Sequence, residues 1–380
     1  MKSLEKQKII KTGTGSILMI LVITLMIFAS EILKEKEIIF PEVAAICVGS
    51  FIAPHVVWKS SFIKIVISVT ICAILGVGVV KFLPIPQWIR FSIGFMIAQV
   101  IFFFSKTGFA PMISAMALPI LIQTESPIYI LSAILLTLLV MILTFFYQKF
   151  VLKEKKETVK VQIPGKEFLK SFIFRSVIVT LVACGGLNTY EKIKFCMAPP
   201  LLVAFTEMTT KKNVPALKKP IMTIILFTGC AAIGAVTRYV LSIKSNLPLT
   251  ISSIVIGIGV ILLMKSIKIF IPPAAAMGVL SMLIPEHFVA IYTLDVFLGI
   301  SIWVGSSLIW KNVFQPKPIK KDMEKATPHQ VKKDINTKDE QENINSSTNN
   351  NNNSNNSNNN AEQDIIDIDI DIDIDIDIKS

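Results

Sequence analysis

The feature that most limits what this chain can fold into is a succession of apolar stretches, each close to or above 18 residues, filling the first 311 of its 380 residues. A hydrocarbon core about 30 Å thick is crossed by roughly 20 apolar residues of α-helix, and backbone facing lipid must satisfy its own N–H and C=O groups. The chain therefore reads as an all-α, polytopic transmembrane helical bundle. About 12 hydrophobic segments are expected, near 13–30, 38–57, 61–83, 87–105, 108–123, 127–147, 168–187, 195–210, 219–242, 248–268, 271–285 and 288–310. No small-x-small cleavage pattern precedes the charged Glu31–Glu37 loop, so the first segment reads as a membrane helix and not as a signal peptide.

Charge orients the segments. The formal net charge of +11 hides an asymmetry: residues 312–380 hold 8 lysines against 14 acids, and residues 1–311 hold 30 Lys/Arg against 13 acids. With the first residue inside, the cytoplasmic ends and loops collect 22 basic residues and the opposite side eight, which favours a multi-pass protein of the cell membrane with both termini cytoplasmic. Basic loops of this kind report topology, and no basic run is interleaved with aromatics, so nucleic acid is not expected as a partner. The bilayer is the expected partner, and homo-oligomerisation stays open.

The two halves resemble each other. An offset of 158 aligns Pro41, Thr70, Cys72, Ala73 and Gly76 with Pro199, Thr228, Cys230, Ala231 and Gly234; after the Ser242–Pro248 loop an offset of 162 aligns Lys106, Pro111 and Leu118 with Lys268, Pro273 and Leu280. This is an internal duplication. Six segments per repeat is an even number, so the repeats are expected to be parallel, related by an axis along the membrane normal. The organisation reads as a first transmembrane repeat over 1–148, a basic cytoplasmic linker over 149–167, a second repeat over 168–311 and a polar tail over 312–380. That tail, with an Asn/Ser tract and an Asp-Ile repeat placing a run of like charges on one edge, has no packing pattern a core could use and reads as disordered.

Several segments begin with proline and are too short to span: Phe40-Pro41, Ala110-Pro111, Ala198-Pro199-Pro200 and Pro272-Pro273. An interrupted helix exposes its first N–H groups and the positive end of its dipole inside the membrane, and transporters use such ends for anionic substrate groups. Pro111, Met112, Ile113 and Ser114, with Pro272, Pro273, Ala274, Ala275 and Ala276, are the expected substrate site; the plainer alternative is that the prolines kink packed helices. Asp295, the sole aspartate before residue 312, is a candidate coupling group or cation partner. Arg175 is expected to pair with it, to attract an anion or to snorkel. Glu207 is expected to face Lys211 and Lys212. His55 and His287 stand isolated, and the five cysteines show no CxxC spacing, so no metal or other cofactor is expected. No G-x-S-x-G, HExxH or Walker sequence occurs, and no catalytic residue or enzymatic activity is expected.

The order Met197-Ala-Pro-Pro-Leu-Leu-Val-Ala-Phe-Thr-Glu207, then Asn213-Val-Pro-Ala-Leu217, the Gly229–Gly234 helix and Ile271-Pro-Pro-Ala-Ala-Ala276 resembles the HPP family of integral membrane proteins, named for a His-Pro-Pro motif. The position of the motif histidine is Ile271 here, with Phe109 as its counterpart in the first repeat. The resemblance implies a small helical membrane protein, and plastid and cyanobacterial members are regarded as nitrite transporters. The expected function is thus a transporter or permease for a small anion such as nitrite. The alternatives are a membrane scaffold without transport and a proton-coupled carrier using Asp295.

Overall fold

The computed structural model describes residues 2–53, 60–153, 164–189, 191–211 and 214–314. His55, Lys212 and the tail from residue 315 onward, with the expectations made for them, lie outside the described residues; residues 312–314 close the last helix. Among the described residues all regular structure is helical: α1 (Lys2–Leu33), α2 (Glu42–Cys47), α3 (Phe62–Phe82), α4 (Gln87–Ser105), α5 (Pro111–Ile122), α6 (Pro127–Phe146), α7 (Gly165–Ala183), α8 (Pro199–Thr210), the single turn α9 (Pro215–Lys218), α10 (Pro220–Thr237), α11 (Leu249–Ile267), α12 (Pro272–Leu280) and α13 (Val289–Phe314). A wider helical turn at Val48–Ile52 prolongs α2, and similar turns prolong α6, α7 and α10. The α6 prolongation to Leu152 and the α7 start at Gly165 take both ends of the expected 149–167 linker into helix.

Among the described residues eight helices are long and apolar enough to cross a membrane by themselves: α1, α3, α4, α6, α7, α10, α11 and α13, with their prolongations. Each of the twelve expected hydrophobic segments holds a helix, and these eight are the membrane-length ones. The other four, α2, α5, α8 and α12, run 6, 12, 12 and 9 residues. At about 1.5 Å per residue none exceeds roughly 18 Å, about half of the hydrocarbon thickness. Proline explains the shortening. It has no N–H to continue a ladder, and it stands in the first turn of α5, α8 and α12 and just before α2.

The long helices present apolar side chains outward, such as Ile17, Leu21, Ile63, Leu135, Leu181, Ile221 and Leu262. This apolar exterior is what lipid requires. The short helices are the reverse: nearly every residue of α2, α5, α8 and α12 is buried. They touch in a closed sequence, α2 on α5, α5 on α8, α8 on α12 and α12 on α2, so they form an inner ring sheathed by the eight long helices.

Local contacts fix the direction of the short helices. The Phe40 amide donates to Met26 Sδ (3.3 Å) and the Phe51 backbone lies against Gly15, so α2 runs back along α1. Gln87 Nε2, at the start of α4, donates to the Ile120 and Leu121 carbonyls (2.9 Å each), so α5 runs back along α4. Both short helices thus carry the chain onward across the bundle after an extended approach, and α1 and α6 lie antiparallel.

Packing between the halves is reciprocal. α1 packs on α11 and α7 on α4; α2 packs on α12 and α8 on α5. Matched details accompany it. Tyr129 Oη donates to the Ala115 carbonyl (3.0 Å), and Tyr292 Oη to the Met277 carbonyl (2.7 Å). A Cβ on Gly76 would stand 2.6 Å from the Met116 carbonyl oxygen, and one on Gly234 would meet the Gly278 carbonyl. The two glycines let α3 and α10 approach α5 and α12 backbone to backbone, the contact small residues permit in a membrane.

Candidate functional site

The nine residues expected to bind substrate all lie in the first turns of α5 and α12, inside the inner ring and buried. Their backbone donors are fewer than a free helix start would offer. Pro111, Pro272 and Pro273 have no N–H, Ile113 N donates to the Ala110 carbonyl (2.9 Å), and Ala274 N to the Ile271 carbonyl (3.0 Å). The ends of these helices still carry their dipoles. Their far ends are held by side chains: α5 by Gln87, and α12 by Arg238, whose Nη1 donates to the carbonyls of Ser281 and Ile284, the latter at 2.5 Å. A cation at a helix C-terminus is the arrangement the dipole favours.

Arg175 departs from two of its three expected roles. It neither snorkels nor pairs with Asp295: it is 1% exposed, its Nε donates to Gln99 Oε1 (2.6 Å), and its Nη1 donates to the hydroxyls of Thr209 (3.3 Å) and Thr210 (2.8 Å). α4, α7 and the C-terminal end of α8 thus hold a guanidinium inside the bundle with neutral oxygens, and among the described residues no carboxylate lies within ion-pair distance of it. Neutral oxygens satisfy the N–H groups without cancelling the charge, so the positive field persists beside the ring.

Asp295 is fully buried on α13. Its Oδ2 accepts from the Phe195 amide (3.3 Å) and its Oδ1 has no partner. Trp303 Nε1 donates to the Cys196 carbonyl (3.0 Å) one residue further on. Together these tie the turn that precedes α8 to α13. Glu207, at the other end of α8, pairs with Lys211 at 3.3 Å, as expected from their spacing of four.

Two further acidic residues, Glu31 and Glu42, to which the sequence reading gave no site role, are placed by the structure. Glu31, on α1, accepts from the amides of Leu249 and Thr250 (3.0 Å for Thr250) and from the Thr250 hydroxyl, capping α11 from the other half of the molecule. Glu42, in the first turn of α2, is 0% exposed, and neither of its carboxyl oxygens has a hydrogen-bond partner. The hydroxyl of Ser114, in the first turn of α5 on which α2 packs, is likewise buried without a hydrogen-bond partner. A carboxyl inside an apolar bundle is a signal for function. The sequence showed it only as the residue after Pro41.

Among the described residues no group of three or more His, Cys, Asp or Glu side chains could hold a metal ion. A groove of about 600 Å³ between α1 and α11, lined by Ile17, Leu21, Thr24, Phe28 and Ile254, is apolar and faces outward.

Eight apolar spans enclosing short buried helices define a multi-pass membrane protein, with an architecture consistent with a membrane transporter. Residues 1–157 match the family model described as the HPP transmembrane region, a similarity confined to that stretch of the chain. The match covers the first half of the membrane region, whereas the motif-level resemblance is carried by the second. No curated protein matches the chain. No solved structure matches it.

Proposed function

We propose that this protein is a non-catalytic secondary transporter or permease for a small monovalent anion such as nitrite, bound within the inner ring near the starts of α5 and α12. The observation that carries the reading is Arg175, a guanidinium buried beside the ring with no carboxylate partner among the described residues. Desolvating such a charge is costly, and a neutral side chain would pack α7 onto α4 and α8 at lower cost. An anion drawn into the bundle supplies the missing counter-charge. The reciprocal packing of the two halves supports a duplicated carrier whose substrate lies where the repeats meet. The lysine-rich loops support an arrangement with the start of α1 and the end of α13 on the cytoplasmic side.

The test is uptake of a panel of small anions into proteoliposomes holding wild type or Arg175→Gln. Saturable nitrite uptake in wild type, lower by at least tenfold in Arg175→Gln at equal insertion, is expected. Uptake by Arg175→Gln equal to wild type would remove the assignment of the anion-attracting charge.

A further inference from the structure

Glu42 poses a problem for an anion carrier. Its carboxyl stands in the inner ring, fully buried, with both oxygens unpartnered, and the hydroxyl of Ser114, in the first turn of the neighbouring α5, is also buried without a partner. Ionised, it would be a resident anion near the proposed substrate site and would repel nitrite. A buried carboxylate without donors or a counter-ion is also strongly disfavoured against its neutral form.

The groups around it define the choices. α5 and α12 carry no titratable side chain. α6 brings Tyr129, whose hydroxyl is committed to the Ala115 carbonyl, and Tyr147, committed to the Phe51 carbonyl; α2 itself brings Cys47. α8 brings Glu207, a like charge already paired with Lys211, and the acid of α1, Glu31, is turned to the start of α11. No lysine or arginine forms an ion pair with Glu42 among the described residues. A hard metal cation takes about six oxygen ligands, far more than one carboxyl and one hydroxyl supply. A proton needs only the carboxyl.

We propose that Glu42 is the proton-coupling residue of this carrier: it takes up a proton as the anion enters the ring and releases it when the anion leaves, so that nitrite and a proton travel together. Proton binding converts Glu42 from a competing negative charge into a neutral acid whose O–H is free to donate, to Ser114 or to the anion. Nothing else changes covalently, and one monovalent anion with one proton moves no net charge. The inference rests on the transport reading and extends it from substrate to coupling ion.

The experiment combines proteoliposome flux with infrared spectroscopy of the purified full-length protein. An inward proton gradient is expected to drive nitrite accumulation in wild type, with proton influx reported by an internal pH dye at one proton per nitrite. In Glu42→Gln the response to the gradient is lost. In the spectrum, a protonated carboxyl stretch that appears when nitrite is added to wild type is expected to be missing in Glu42→Gln. Should that variant fail to fold, Ser114→Ala, which removes the facing hydroxyl, is expected to shift the same band. Nitrite flux that ignores the proton gradient, or requires Na⁺ instead, would overturn the coupling while leaving the transport reading intact. Absence of any anion flux would overturn the transport reading, and absence of a nitrite-induced carboxyl band in a wild type that transports nitrite would overturn the protonation of Glu42.

Discussion

Three buried side chains, Glu42, Arg175 and Asp295, show what ionisable groups do inside this bundle, and each keeps different company. Arg175 is held by Gln99, 76 positions away, and by Thr209 and Thr210, 34 and 35 positions away. None of these partners is visible from a pattern local to residue 175, which is why snorkelling and an Asp295 pair were the natural expectations. Asp295 was legible as a rare intramembrane acid, yet its use as an acceptor for the Phe195 amide depends on a turn 100 positions upstream. That use gives a prediction. Asp295→Asn retains an acceptor oxygen and is expected to cost less than about 1 kcal/mol, whereas Asp295→Ala strands the Phe195 amide at about 1–3 kcal/mol. Thermal unfolding in detergent measures both, and equal losses would refute the acceptor role. Loss of proton-driven uptake in Asp295→Asn would move the coupling group from Glu42 to Asp295.

At the scale of elements, the proline-start helices were the most legible feature, because a residue without an N–H marks where a helix can begin whatever surrounds it. Their closure into a ring was not, since it depends on which faces meet. Hydropathy alone does not separate α2, α5, α8 and α12 from the long helices, because a buried short helix is as apolar as a lipid-facing long one; their length and starting prolines do. Gly76 and Gly234 test the ring directly. Both sit where a long helix touches a short one, and the added Cβ meets backbone on either side. Gly76→Ala and Gly234→Ala are each expected to destabilise the protein by about 1–3 kcal/mol, the usual range for overpacking. The two melting shifts should agree in sign and approximate size. A neutral effect in either would contradict the close contact at that position.

At the scale of the molecule, the sequence carried the all-α membrane class and the offsets of 158 and 162 between the halves. It did not carry the exchange of partners in which each half's first helix packs on the other half's third membrane-length helix, α1 on α11 and α7 on α4, because hydropathy says which helices exist and not which ones touch. Nor did it show Glu31 of the first half capping α11 of the second. These cross-contacts leave the inner ring built equally from both halves, and the account's central claim is that a small anion passes through that ring. The most direct measurement is nitrite uptake by proteoliposomes of wild type beside Ala275→Leu and Ser114→Leu, whose side chains are buried in α12 and α5. The account predicts saturable uptake in wild type and its loss in both variants while membrane insertion is retained. No uptake in wild type, or unchanged uptake in both variants, would contradict it.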